Sequence, residues 1–215
     1  MNQRLLRCGI SALALLLAAM SEPASGQESR LNSQSGKFPL EYSLPDVDGR
    51  QHSERELRLS KAAVFIFVGT ECPISNRYAP EINRIVSEYL PKGISFFVVY
   101  SEPGLEAASG RKHSQEYGFK LPALLDPEQT LASSSRVVAT PTALVVSPAG
   151  EIWYRGRIDN RYLDFGRYRD AGIEADLRLA LDAVVAGKPI AKPFTKVIGC
   201  ALPPPGKRST HGRVR

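Results

Sequence analysis

Ala62-Ala63-Val64-Phe65-Ile66-Phe67-Val68 runs directly into Gly69-Thr70-Glu71-Cys72-Pro73-Ile74-Ser75. An unbroken apolar run of this length, rich in β-branched and aromatic side chains, leaves no face for water. It predicts a strand buried on both sides. The Gly-Thr turn ends the strand, and from Asn76 the apolar period changes. Tyr78, Ile82, Ile85, Val86 and Tyr89 share one stripe of a helix, which Pro91 and Gly93 stop. Ile94 to Tyr100 then repeats the buried-strand pattern. Strand, helix and strand in this order require a crossover, and with it a parallel pair and the α/β class.

Working outward, residues 104–117 predict a helix closed by Gly118, and Leu121 to Leu125 a short strand. A helical turn or two follows between Pro127 and Ser134. Thr142 to Val146 is a third strong strand, turned at Pro148-Ala149-Gly150 into a return strand from Glu151 to Tyr154. Upstream, Phe38 to Leu44 predicts a first strand, ended by the turn Pro45-Asp46-Val47-Asp48-Gly49, with residues 50–60 as a charged connection. Residues 155–172, rich in Arg, Asp, Tyr and Gly, read as a long surface loop. Ile173, Leu177, Ala180, Leu181 and Val184 mark a last amphipathic helix, ended by Gly187-Lys188-Pro189. From Ile190 the chain is Pro- and Lys-rich and reads as irregular. The late hairpin adds an antiparallel edge, so the expected sheet is central and mixed, with helices on both faces.

The 215 residues, 43% hydrophobic and 23% charged, fit one globular domain, and no period marks a repeat protein. Arg4 and Arg7 precede an apolar run from Ile10 to Met20 that is short for a bilayer. Small Ala24 and Gly26 lie before Gln27. This predicts a secretory signal over 1–26, with an uncleaved anchor as the alternative, and a polar leader over 27–37. Cys8 leaves with the signal. The formal charge of +6 falls to about +5 on its removal, and Lys207, Arg208, Arg213 and Arg215 supply most of what remains. Basicity confined to one end, without a basic-aromatic groove, argues against nucleic acid as a partner. Membrane contact is expected only through an uncleaved signal. Cys72 and Cys200 are then the two mature thiols, in a compartment, expected to be the periplasm, that permits disulfides.

Cys72 lies between a strand's carboxyl end and a helix's amino end. Open α/β sheets place reactive groups there, and the helix's unpaired N–H groups favour thiolate. Adjacent Glu71 opposes that shift without reversing it. Pro73 suits the first helical turn, where its missing N–H costs nothing. Ser75 is three residues on, either donating to the sulfur or simply capping. The competing reading of Cys72 is an inert buried thiol. Thr140-Pro141 opens the third strong strand, and local sequence alone favours a trans bond. His52 in a polar connection, His113 on a surface helix and His211 near the end share no ligand spacing, so no metal is expected. The arginines of 155–170 rim the site or form a solvated loop, the latter being the simpler reading.

The chain from buried strand through V-G-T-E-C-P-I-S to A-T-P-T-A-L-V-V-S-P-A-G-E resembles the thioredoxin-like superfamily. It is similar in particular to the secreted redoxin group of TlpA-like and alkyl-hydroperoxide-reductase/thiol-specific-antioxidant (AhpC/TSA) proteins. Y-R-G-R-I-D-N-R-Y and T-K-V-I-G-C add to the likeness, which spans about 38–187 and leaves 188–215 as a Pro-rich, basic tail. The resemblance implies a thioredoxin-like fold, a cis Pro141 beside Cys72, and a Thr140 backbone that pairs with a bound peptide or mixed-disulfide partner. It implies thiol-disulfide exchange without a cofactor, with Cys72 as nucleophile and an external reductant. Protein thiols and disulfides, or peroxide, are the substrates. Two departures stand out. Ser75 replaces the second cysteine of a dithiol motif. Gly69 stands where a peroxiredoxin has Thr or Ser, with Thr70 one step nearer, and Thr140-Pro141 stands where it has Arg. Cys200 is the remaining candidate to resolve Cys72; a structural cysteine, a free thiol or an intermolecular bridge are the alternatives. A peroxiredoxin-like peroxidase and a non-catalytic thioredoxin-like binding module are the competing functions.

Overall fold

The structure, a computed structural model, describes residues 38–204. The expected signal, leader and basic end (205–215, with His211) lie outside the described residues. Strand β3 (Ala62–Val68) is the middle of the main sheet. It pairs in parallel with β4 (Ile94–Tyr100), from Ala62 opposite Ile94 to Val68 opposite Tyr100. Beyond β4 lies parallel β5 (Ala123–Leu125). On the other side β7 (Thr142–Val146) runs antiparallel to β3, and β8 (Ile152–Gly156) antiparallel to β7. The sheet order β5-β4-β3-β7-β8 is the mixed α/β sheet expected.

Every residue of β3 has no solvent exposure, and its two faces build two cores. Ala62, Val64, Ile66 and Val68 meet helix α1 (Pro73–Tyr89) and helix α4 (Asp176–Val185). Ala63, Phe65 and Phe67 meet Phe38, Tyr42, Leu57 and Leu131, the last from α3 (Thr130–Ser134). Helix α2 (Ala107–Glu116) flanks the first core, and Gly118 at φ 68 ends it as expected.

Three expectations are corrected. The first strand is only β1 (Ser43–Pro45), because its ladder partner is the three-residue β2 (Gln51–Ser53). Phe38 and Tyr42 are instead aromatic plugs, with Phe38 4.5 Å from the Phe65 ring. The connection at 50–60 contains β2 and a 3-10 turn, Glu54–Leu59, and His52 is buried, not solvated. Its ring nitrogens lie 3.0 Å from Asp46 Oδ2 and 2.9 Å from Glu56 Oε1. His113 is also buried, its Nδ1 2.7 Å from the Tyr100 hydroxyl and its Nε2 2.9 Å from Asn76 Oδ1.

The 155–172 segment is anchored at its base. Asp159 is buried and accepts from the Tyr78 hydroxyl at 2.5 Å, and Tyr162 packs 5.4 Å from the Tyr78 ring. Its outer part forms a small hairpin, β9 (Tyr162–Asp164) with β10 (Arg167–Tyr168).

Nor is the chain after Ile190 irregular throughout. Arg155 N–H donates to Pro193 O at 2.9 Å, and Thr195 N–H to Arg155 O at 3.2 Å. The Thr195 hydroxyl accepts from Arg157 N–H at 3.0 Å. The chain then crosses to pair β11 (Cys200–Ala201) antiparallel with β6 (Ala139–Thr140). Prolines remove donors but leave carbonyls, and these carbonyls find partners along the sheet edge.

Candidate active site

Helix α1 begins at Pro73, three residues before the apolar stripe announces it, because a first-turn proline has no amide to leave unpaired. Cys72 is therefore the N-cap, and its sulfur accepts from the Ser75 N–H at 3.5 Å. The Ser75 side chain is also among the groups that lower the Cys72 thiol. Its hydroxyl also accepts from the Gly69 N–H at 3.3 Å. Cys72 is only 3% exposed, and its sulfur is 3.3 Å from the Thr140 carbonyl oxygen. The Thr140-Pro141 bond is cis, as the resemblance implied, and local base rates did not.

Cys200 lies directly opposite Thr140 in the β6–β11 register. It packs against the core cluster that contains Cys72, and both cysteines are free thiols. Burial pushes the Cys72 thiol up. Hydrogen bonds from Cys200, Ser75 and Thr140 outweigh it and hold Cys72 below the usual thiol range. Cys200 moves the other way, to about 12, through burial, its hydrogen bond to Cys72 and the negative charge there. The two thiols are thus displaced in opposite directions, Cys200 chiefly by burial and Cys72 by the groups that outweigh its burial.

Of the residues singled out from sequence, Cys72, Pro73, Ser75, Thr140, Pro141 and Cys200 converge here. Thr70 does not join them. Its hydroxyl donates to Glu102 Oε1 at 2.9 Å and its N–H to the same oxygen at 3.0 Å. Asn76 Nδ2 holds the Thr70 carbonyl at 3.2 Å. Glu102 is half-buried; burial, with help from Glu71, raises its carboxyl despite the Thr70 bonds. Gly69 has a steric reason. A Cβ there would lie 3.0 Å from Thr140 Oγ1 and 3.1 Å from Cys72 Cβ. A side chain at this position would crowd both residues.

Sequence reasoning missed Glu102 and Asn76 and left His113 on the surface, because the Thr70–Glu102 and Asn76–His113 pairs each span more than thirty residues. It also missed Gly199. A Cβ there would overlap the Thr140 carbonyl oxygen and lie 2.7 Å from its carbon. The glycine preceding the last cysteine was the one available signal. Beside Pro141 a small cleft is lined by Tyr78, Arg157, Asp159, Tyr162 and Ile198. The arginine-rich segment therefore reaches the rim of the site at its base, while its outer hairpin stays exposed.

Comparison with known proteins agrees with this geometry. The thiol-disulfide oxidoreductase ResA of Halalkalibacterium halodurans is 26% identical over 121 residues. The match covers 56% of this chain and 66% of that relative's length. An uncharacterised conserved protein of Geobacillus kaustophilus superposes with a TM-score of 0.67 at 26% identity, over 79% of this chain and 94% of the other. A hypothetical protein of Sinorhizobium meliloti gives a TM-score of 0.67 at 22% identity, over 78% and 92%. The fold is thioredoxin-like, and the match of the AhpC/TSA family over residues 36–155 shows that the chain belongs to the AhpC/TSA family.

Proposed function

We propose that this chain is a thiol-disulfide oxidoreductase in which Cys72 is the nucleophile and Cys200 the resolving thiol. The observation that carries the reading is the register that sets Cys200 directly opposite Thr140, whose carbonyl oxygen is 3.3 Å from the Cys72 sulfur. The Cys72 thiolate attacks one sulfur of a partner disulfide. A Cys72–partner bond forms, the partner's S–S bond breaks, and one partner thiolate leaves. Cys200 gives up its proton and attacks the Cys72 sulfur, closing a Cys72–Cys200 disulfide and freeing the second partner thiolate. Two electrons pass to the partner, and an external dithiol returns them by the reverse exchange. The substrates are protein thiols and disulfides, and no cofactor enters the cycle.

Ser75 explains why the resolving sulfur comes from so far along the chain, since it donates to the thiolate but cannot form a disulfide. Against peroxide turnover stand Gly69 and the engagement of the Thr70 hydroxyl by Glu102. Without a hydroxyl aimed at the peroxide, its transition state lacks a stabilising donor. The ResA relative supports disulfide exchange. The apolar run behind Arg4 and Arg7 supports export to the periplasm, where such disulfides persist.

The test is peptide mapping of the mature protein after mild oxidation. A Cys72–Cys200 disulfide within one chain is expected. Cys200→Ser should accumulate mixed disulfides on Cys72 when offered a disulfide substrate. Two free thiols in the oxidised monomer, or a Cys200→Ser variant that cycles as fast as wild type, would remove Cys200 from the mechanism. Rapid peroxide consumption lost in Cys72→Ser would shift the reading to a peroxidase.

A further inference from the structure

Cys200 is held on its two sides by different means. Upstream, the Thr195 N–H donates to Arg155 O at 3.2 Å, and the Thr195 hydroxyl accepts from the Arg157 N–H at 3.0 Å. Downstream, the pairing of β11 along β6 ends at the Leu202 N–H, which donates to Val138 O at 2.9 Å. Pro203 and Pro204 follow, and a proline has no N–H with which to extend a ladder. The backbone there can be held only through its carbonyls, and those need a donor from elsewhere. Gln129 supplies one: its Nε2 donates to Pro203 O at 2.6 Å.

The surroundings of Gln129 aim that amide. The residue is 5% exposed and stands just before helix α3 in the left-handed region, at φ 56 and ψ 34. This backbone conformation suits glycine or asparagine and is unfavourable for a longer side chain. It is fixed from both ends, since the Gln129 N–H donates to Asp126 O at 2.9 Å and the Gln129 carbonyl accepts from the Ser133 N–H at 2.8 Å. Nε2 also donates to Ser101 O at 3.0 Å. Ser101 precedes Glu102, whose carboxylate holds Thr70 on the turn before Cys72. One buried amide therefore joins the segment beyond Cys200 to the segment that steadies the Cys72 turn. We propose that Gln129 is a positioning residue for the resolving thiol: it clasps the end of β11 so that Cys200 stays seated beside Cys72 and returns there after the first exchange. This rests on Cys200 being the resolving thiol. The clasp acts on the two steps with opposite sign. With the strand seated, Cys72 is only 3% exposed, which slows its attack on an outside disulfide. The same seating speeds the second step, because the attacking sulfur is already in place.

The test uses two full-length variants. Gln129→Met keeps the length of the side chain without its donors. Gln129→Asn is easier in the left-handed region, so it folds even where the first does not, but its amide is one methylene too short for the clasp. Each reduced protein is mixed with one equivalent of dithiobis(nitrobenzoate). The Cys72 thiolate attacks, a Cys72–thionitrobenzoate disulfide forms, the S–S bond of the reagent breaks and one coloured thionitrobenzoate leaves. Cys200 then loses its proton to solvent and attacks the Cys72 sulfur, which closes the Cys72–Cys200 disulfide and releases the second thionitrobenzoate. The two colour phases read the two steps separately. In both variants the second phase should slow by about fivefold, the factor that one typical net hydrogen bond supplies, while the first phase becomes faster than in wild type. A fold that is merely loosened moves both phases the same way. Phases that move together, or a second phase that Cys200→Ser abolishes and both Gln129 variants leave unchanged, would overturn the clasp and leave the Cys200 reading standing. A wild-type chain without a second phase, or a Cys200→Ser chain that keeps one, would overturn that reading and the clasp with it.

Discussion

Replacing Ser75 with alanine tests the thiolate directly. Ser75 is 1% exposed; its hydroxyl accepts from the Gly69 N–H at 3.3 Å, and its side chain is one of the groups that hold the Cys72 thiol down. Alanine keeps the helix and the Ser75 N–H bond to sulfur but removes both side-chain contacts. A hydrogen bond to a charged group contributes roughly 1.5–3 kcal/mol, and about 1.36 kcal/mol corresponds to one pKa unit. The long contacts typical of sulfur and the Ser75 N–H that remains on it put the effect at the low end. The apparent Cys72 pKa should therefore rise by about one unit in Ser75→Ala. The orphaned, buried Gly69 N–H should cost a further ~1–3 kcal/mol of folding stability. Iodoacetamide alkylation against pH, followed at the Cys72 peptide, reads the first quantity, and urea unfolding the second. An unchanged alkylation pKa alongside the stability loss would show that Ser75 only caps the helix, and the account of the lowered thiol would fail.

Glu102→Gln should gain stability relative to wild type as pH rises from 4 to 7. Burial raises the Glu102 carboxyl in the folded chain, so wild type is favoured below the unfolded pKa and loses that advantage as pH climbs through the folded one. Urea midpoints at the two pH values check the sign; wild type gaining on the variant would contradict it. Oxidised wild type should melt above the reduced form, because a disulfide closing so long a loop contributes up to ~4–5 kcal/mol by the chain-entropy estimate, less any strain. Cys200→Ser should show no such difference by calorimetry. Ile82, with no exposure on the α1 stripe, should lose ~2–5 kcal/mol on mutation to alanine while leaving the Cys72 alkylation pKa in place.

The strands that position the site were legible where burial is continuous. The apolar runs Ala62 to Val68, Ile94 to Tyr100 and Thr142 to Val146 match β3, β4 and β7 end to end. A strand covered on both faces has no alternation to blur its limits. The α1 stripe was legible for the same reason, but its start was not, since Pro73 to Ser75 carry capping chemistry, not periodicity. Cys72, Ser75 and Thr140-Pro141 could be nominated from local sequence and family likeness. What escaped is set by pairing at long range. Nothing near residue 200 says that β11 will find Thr140, and nothing near Thr70 names Glu102 as its acceptor. His52 and His113 looked solvated because their neighbours are polar, yet Asp46 and Glu56 near His52 are the partners that let it be buried, and His113 finds its own in the more distant Tyr100 and Asn76.

The opposite displacement of the two thiols gives the proposed cycle an order. While Cys72 is a thiolate, Cys200 keeps its proton: burial, the hydrogen bond to Cys72 and the negative charge there hold it near 12. In that state Cys200 does not compete for the incoming disulfide, and it solvates the nucleophile. Once Cys72 is carried into a mixed disulfide, its charge is gone. Two of the three causes that raise Cys200 vanish, and only burial remains. The Cys200 pKa then falls by the share those two causes supply, while burial, the largest cause, still raises it. A thiolate becomes accessible at Cys200 only after the first exchange has created the bond it must attack. In a dithiol helix motif the second cysteine sits three residues on and is present at every stage. Here Ser75 occupies that place, and the resolving sulfur rides on a strand whose register, set by Gly199 against Thr140, returns it to the sulfur it is meant to release.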